Sequence, residues 1–247
     1  MRTYTKIDTA FDRDERFRVD TARLRRPVFG TIAWLATEKV NGTNIRLGFR
    51  MDHELNPSAV YPQIAGRTEN ASLHPRLLAH CQELVARIAP GVMEIMREHG
   101  LTDYMLVGEG YGAKIQDGGG YRQDPAFILF DVLAGDKYLA DSVVTATGVR
   151  LDIPRVPILN GGEVMTLGEI TEMVSQGFPS LIAETPGFLA EGIVARPVEP
   201  LHDNRDERII LKLKGADFRA KGKGGGYDGV RDGVQAPREK AASAATV

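Results

Sequence analysis

Apolar and polar residues alternate most clearly at Ile45, Leu47 and Phe49, the period of a strand with one face buried. An earlier apolar run, residues 28–35, follows a charged stretch containing Asp12, Arg13, Asp14, Glu15 and Arg16, and it predicts the start of a strand. Between the two runs lies Glu38-Lys39-Val40-Asn41-Gly42-Thr43-Asn44. Its Asn-Gly pair predicts a tight turn joining one strand to the next. The period then changes. Leu77, Leu78, Cys81, Leu84, Val85 and Ile88 fall at three- and four-residue spacings and predict a helix within residues 73–98, broken at Pro90-Gly91 and resumed over 92–97. The apolar runs 105–107 and 127–133 are too short for helices and predict buried strands. Thr166 with Glu169 forms a capping-box pattern ahead of Ile170 and Val174, the start signal of another helix. Residues 193–195 and 209–213 predict the last strands.

Strand and helix do not alternate regularly, which argues against a doubly wound parallel sheet. The pattern predicts the α+β class, with mostly antiparallel sheets and flanking helices around a cleft. After Phe218 the texture changes again. Gly222, Gly224, Gly225, Gly226, Gly229 and Gly233 interrupt the chain, which predicts a flexible tail over residues 219–247.

Charge sharpens this picture. The chain has 247 residues with 31 Lys+Arg against 33 Asp+Glu, a net charge of −2. It is therefore not a globally basic polyanion binder, and any nucleic-acid site has to come from local asymmetry. Residues 208–240 supply one, with nine Lys/Arg and four Asp/Glu. A single cysteine, Cys81, excludes an internal disulfide framework, and its apolar helical setting predicts an inert core thiol. The N-terminal residues lack the apolar core of a secretory signal, and no run is long and apolar enough for a membrane helix, so a soluble cytoplasmic protein is expected. The histidines show no ligand spacing.

One motif misleads. Gly108-Glu109-Gly110-Tyr111-Gly112-Ala113 fits a dinucleotide-binding fingerprint after a predicted strand. That fingerprint needs a helix to start at its glycines. Here Asp117, Gly118, Gly119, Gly120 and Pro125 follow, which predicts a loop.

Lys39 precedes the Asn-Gly turn, and by itself it reads as a surface lysine at a strand end. Its company changes that reading. In order along the chain stand Lys39-Val40-Asn41-Gly42-Thr43-Asn44, Gly66-Arg67-Thr68, Gly108-Glu109-Gly110-Tyr111-Gly112, residues 127–132 with Phe130-Asp131, Glu191-Gly192-Ile193-Val194, and Lys212-Leu213-Lys214. The set resembles the covalent nucleotidyltransferases, the superfamily of polynucleotide ligases and mRNA-capping enzymes, over roughly residues 35–215. Asn41 and Asn44 stand where DNA ligases usually carry Asp and Arg. With Glu38-Lys39, Ile115-Gln116 and Tyr121, they resemble the ATP-dependent RNA ligases, in the branch of the second RNA ligase of phage T4 and the kinetoplastid editing ligases.

The resemblance implies a nucleotidyltransferase (ATP-grasp-like adenylation) domain over residues 1–218, with ATP and Mg²⁺ or Mn²⁺ as cofactors. It also implies RNA with 5′-phosphate and 3′-hydroxyl ends as the partner, with AMP carried covalently on lysine. Lys39 would be the nucleophile, and Glu191 the metal-binding acid. Lys212 and Lys214 would lower the charge of Lys39 and offset charge growing on the α-phosphate. They share one face of a strand because side chains repeat every second residue. Glu38, Asn44, Arg67, Glu109, Phe130 and Asp131 would bind the nucleotide, Glu109 at the ribose and Phe130 stacked on adenine. Asp131 reads equally as a turn acid at a strand end. A nick-sealing DNA ligase or another polynucleotide 5′-adenylyltransferase, and a non-catalytic nucleotide- or nucleic-acid-binding module, remain as alternatives. Such ligases usually carry a second domain, whereas only the basic tail follows here. End recognition is then expected from a partner acting in trans or from the tail through Arg219, Lys221 and Lys223.

Overall fold

The alternating run at Ile45, Leu47 and Phe49 lies in the middle of an antiparallel sheet, and one long helix covers its apolar face. The structure is a computed structural model that describes residues 1–16, 18–52, 56–68 and 71–218. The tail over 219–247, with Arg219, Lys221 and Lys223, lies outside the described residues.

In chain order the strands are β1 (Asp8–Thr9), β2 (Phe11–Arg13), β3 (Val19–Leu24), β4 (Leu35–Lys39), β5 (Thr43–Asp52), β6 (Asn56–Gly66), β7 (Asp103–Tyr111), β8 (Ala126–Ala134), β9 (Lys137–Tyr138), β10 (Gly192–Arg196) and β11 (Leu211–Lys214). The helices are α1 (Pro75–Glu98), α2 (Asp141–Leu151) and α3 (Leu167–Gln176). One sheet runs β6-β5-β7-β8-β9 and is antiparallel throughout. A second runs β1-β11-β10-β4 and is antiparallel except for the short parallel pair β1–β11. β2 and β3 form a separate hairpin sheet. This is the α+β class that the sequence predicts.

Each sheet has its own core. Ile45, Leu47, Phe49 and Met51 of β5 pack with Leu77, Cys81, Leu84, Val85, Ile88, Val92, Ile95 and Met96 of α1. Burying each large side chain contributes roughly 1.5–3 kcal/mol. That explains why Pro90 does not break the helix as expected. An interior proline costs about 3 kcal/mol, and the second half of α1 offsets it by burying Val92, Ile95 and Met96 on the same sheet. Behind the second sheet, Phe29, Trp34, Ala36, Ile193, Ala195, Leu211 and Leu213 pack with Leu167, Ile170 and Val174 of α3. The Thr166–Glu169 capping box starts α3 as predicted.

Three local expectations change. The run 28–35 begins as a 3₁₀ turn (Pro27–Gly30), and extended structure starts only at Leu35. Its apolar residues serve packing: Phe29 and Trp34 are buried edge to face, 5.7 Å apart. The last strand starts at Leu211, because the Ile209 N–H is taken by the Leu201 carbonyl at 2.8 Å. The Asn-Gly turn is not a hairpin, since β4 and β5 belong to different sheets and residues 40–42 carry the chain between them. Gly42 passes so close to β7 that a Cβ there would strike the Gly110 carbonyl. The glycine pattern at 108–113 runs off the end of β7 into bends, with only a short 3₁₀ turn (Gly118–Gly120) following. No helix N-terminus meets those glycines.

Candidate active site

Side chains from both sheets line one cleft. Lys39 ends β4 and is paired in register with Gly192 of β10, whose other neighbour is Lys214 of β11. A Cβ on Gly192 would collide with the Leu213 carbonyl, so only glycine lets the strands meet at this row. Glu191 stands one residue before β10, between the two lysines. Its Oε2 accepts from Lys39 Nζ at 2.5 Å, and its Oε1 accepts from Lys214 Nζ at 2.7 Å. Lys39 and Glu191 are only 18% and 12% exposed, so this ion pair is largely out of water. Lys212, two residues before Lys214, lines the cleft. Burial pushes its ammonium down, and Lys39 and Lys214 push it further.

The facing wall comes from the five-stranded sheet. Asn44 of β5 and Glu109 of β7 are cross-strand partners, and both line the cleft. The Asn44 Oδ1 is buried without a hydrogen-bond partner among the described residues. An orphaned acceptor of this kind costs about 1–3 kcal/mol and marks a place where a ligand can pair. Burial pushes the Glu109 carboxyl up to about 7; Glu191 adds to that rise, while Lys39 and Lys214 oppose it. Phe130 is half-buried, its ring 5.5 Å from that of Tyr4, and Val156, Val194 and Ile210 extend the apolar surface around it. Arg67 is exposed on the rim, in a bend just past β6.

Two predicted nucleotide contacts have other partners. Glu38 is buried; its Oε1 accepts from Ser180 Oγ at 2.5 Å and its Oε2 from the Leu181 N–H at 2.8 Å. Burial raises its carboxyl, and those two bonds oppose the rise. Asp131 is buried at the cleft base. Its oxygens accept from Arg208 at 2.7 and 2.8 Å, from Arg196 at 3.1 Å and from the Tyr4 hydroxyl. Burial by itself would raise Asp131, yet Arg208 and Arg196 outweigh it and hold the carboxyl below its ordinary range. Arg196 also binds Asp141, which takes Arg155 at 2.9 Å through both oxygens. Sequence reasoning missed Tyr4, Arg196 and Arg208 because each reads as an ordinary polar residue until the fold joins them.

The structure therefore brings Lys39, Glu191, Lys212, Lys214, Asn44 and Glu109 together around one space. Among the described residues, no group of three or more His, Cys, Asp or Glu side chains could hold a metal unaided. That suits Mg²⁺, which usually takes one or two protein oxygens and completes its shell with phosphates and water. Glu191 and the orphaned Asn44 Oδ1 are oxygen donors of the right kind. Cys81 is buried in the α1 core, its thiol pushed up to about 12 by burial, and plays no part in the cleft.

The model of the RNA ligase family matches residues 32–214. No curated protein sequence matches the chain. Among solved structures, the chain is similar to a Naegleria gruberi RNA ligase with PPi, at 18% identity and a TM-score of 0.54, covering 85% of this chain and 61% of that one. A variant of the same ligase with ATP and Mn matches at 17% identity and a TM-score of 0.54, covering 85% and 61%. At these identities the likeness is one of fold. The chain spans 61% of the length of these solved chains.

Proposed function

The chain belongs to the RNA ligase family, and from that premise we propose that it is an ATP-dependent RNA ligase that carries AMP on Lys39 and joins 5′-phosphate to 3′-hydroxyl RNA ends. The observation that carries this reading is the row Lys39–Glu191–Lys214, facing Asn44 and Glu109 across the cleft. The lysine nitrogen attacks the α-phosphorus of ATP, an N–P bond forms, the P–O bond to pyrophosphate breaks, and the ammonium proton leaves. The RNA 5′-phosphate then takes the AMP, and the 3′-hydroxyl displaces it. Dividing one condensation into these displacements is the use of a covalent nucleophile.

The chain's own residues account for the demands of the first step. A lysine must be neutral to attack, and nearby cations favour the neutral form. Lys212 and Lys214 supply them on the same strand. Glu191 holds Lys39 in the cleft as an ion pair, so attack requires that pair to open. A divalent cation, when bound through Glu191 and phosphate oxygens, would add positive field at the α-phosphate. Glu109 faces the cleft as an acceptor for ribose hydroxyls, and Phe130 offers its ring to the base. Glu38 orients the loop carrying Ser180 and Leu181 beside that slot, and Asp131 acts on the slot through Tyr4 and Arg196. The chain's placement in the branch that includes the phage and kinetoplastid enzymes is part of the proposal and is supported by Glu38-Lys39, Asn41, Asn44, Ile115-Gln116 and Tyr121.

Incubation with α-labelled ATP and Mg²⁺ tests the proposal. A covalent label that disappears in Lys39→Ala supports it, and no label on the wild type refutes it. RNA, DNA and hybrid ends competing in one sealing assay then fix the substrate class. Deleting residues 219–247 is expected to spare self-labelling and weaken RNA binding most at low salt. Unchanged RNA binding would remove the tail from end recognition.

A further inference from the structure

Asn44, Arg46, Gly48 and Arg50 share the face of β5 turned away from α1, because side chains repeat every second residue. Their polarity reads as a solvent face. Arg46 is instead fully buried, and a Cβ on Gly48 would strike the Met1 side chain. The covering is the segment over residues 1–7. It runs from Gly48 on β5 past Met105, Val107 and Leu133, where Tyr4 packs, and reaches the other sheet where Asp8 pairs with Leu211.

A buried guanidinium has to be met by acceptors, and here backbone meets it. Arg46 Nη1 donates to the Met1 carbonyl at 3.3 Å and to the Arg2 carbonyl. Its Nε donates to the Gly66 carbonyl at 2.7 Å. Both held stretches lead into the cleft. Gly66 ends β6 opposite Ile45, and the next residue is Arg67 on the rim. Beyond Arg2, the residues Tyr4, Thr5 and Ile7 line the cleft with Phe130. The Tyr4 hydroxyl donates to Asp131, and the Thr5 and Tyr138 hydroxyls share a hydrogen bond of 2.7 Å.

We propose that Arg46 is a positioning residue that clamps residues 1–2 and the end of β6 against the sheet, so that Tyr4, Thr5 and Ile7 close the base slot and Arg67 stays on its rim. The inference rests on the ligase reading above. The planar guanidinium aims its donors in fixed directions, so one side chain can hold two stretches of backbone. Arg46 acts through these residues and not on the reacting atoms. Its loss therefore lowers the fraction of molecules with a finished slot, and apparent affinity falls in proportion to that fraction.

Arg46→Met removes the donors, and Arg46→Lys keeps the charge without the fork. In both, the KM for ATP in self-labelling is expected to rise by roughly tenfold, with the rate at saturating ATP unchanged. A slower saturating rate with KM unchanged overturns the inference, and so does a Lys variant with the wild-type KM, since charge alone would then suffice. Trypsin gives a readout free of catalysis, because Arg2 and Lys6 are exposed on the clamped segment. Cleavage of an opened segment tracks how often it opens. Cleavage after Lys6, read by mass, should be slow in the wild type and roughly tenfold faster in the variants, while sites within the sheets and α1 keep their rates. A uniform rise at all sites would mean general destabilisation and overturn the clamp. If neither variant folds, the wild type still decides, since rapid cleavage after Lys6 there overturns it. A wild type that takes no label would instead defeat the ligase reading, leaving the cleavage pattern to judge the clamp.

Discussion

Glu191 at the mouth of the cleft and Asp131 at its base each sit between two cations, Lys39 and Lys214 for the first, Arg196 and Arg208 for the second. The differences separate a working site from a structural one. The mouth cluster lies within one sheet and uses lysines; Lys214 is 39% exposed. The base cluster joins the two sheets, with Asp131 on β8 and Arg196 on β10, and its side chains are at most 8% exposed. Lysine can surrender its proton and attack a phosphorus, whereas arginine stays charged. A pair that must open to react is thus built from lysine, and a pair that must never open is built from arginine in the dry interior.

The sharpest way to break this contrast is to put the base chemistry at the mouth. Lys39→Arg retains a cation for Glu191, so the ion pair and the fold should survive. It should nonetheless abolish labelling by α-labelled ATP. Residual label in this variant would mean that another side chain is the nucleophile. The converse change sits at the base. Arg208→Met leaves the buried Asp131 with Arg196 as its one remaining cation and should cost about 3–5 kcal/mol in urea unfolding, more than Glu191→Gln. Equal losses in the two variants would erase the distinction.

How much of each cluster is legible in the sequence follows from the same contrast. Lys39, Asn44, Glu109, Glu191, Lys212 and Lys214 are legible because each sits in a short motif at a strand end, and the family resemblance reads those motifs together. The base cluster is legible only at Asp131, which stands in the Phe130-Asp131 motif; Tyr4, Asp141, Arg155, Arg196 and Arg208 are scattered along the chain, and each reads as an ordinary polar residue until tertiary folding buries it. Regular elements behave alike. β7, β8 and α3 follow from apolar runs and a capping box. Helix α2 does not, since Val143 and Val149 lie exposed and blur its periodicity. Pro90 and the Asn-Gly turn mislead because packing partners far away in sequence decide both.

Acid titration sharpens the comparison further, because acids at the two ends of the cleft act with opposite sign. Glu109, beside the mouth cluster, rises from 4.5 to about 7 on folding. Between those values the folded protein keeps a proton that the unfolded chain has lost, so stability falls as pH rises through the window. The effect amounts to about 3 kcal/mol at most, and Glu109→Gln should flatten it. Asp131 is held low by its arginines, so its contribution is full above the ordinary carboxylate range and is lost as pH falls through its lowered value. Urea unfolding from pH 3 to 8 checks both. A Glu109→Gln profile that keeps the wild-type slope between pH 4.5 and 7 would assign that slope elsewhere.

Salt should produce the smallest difference and the most selective one. The screening length falls from about 10 Å at 0.1 M to about 3 Å at 1 M, and screening acts where ions can reach. Water reaches Lys214 and, less so, Glu191, so the stability gap between wild type and Glu191→Gln should narrow as salt rises. The gap between wild type and Arg208→Met should stay constant within error, because counterions cannot enter the base. The reasoning turns on access rather than on charge count, since Glu191 and Asp131 each pair with two cations. Thermal unfolding of the three proteins at 0.1 and 1 M salt measures it. A gap at the base that shrinks as much as the gap at the mouth would mean that Asp131 and its arginines open to solvent, and the permanence assigned to them would fail.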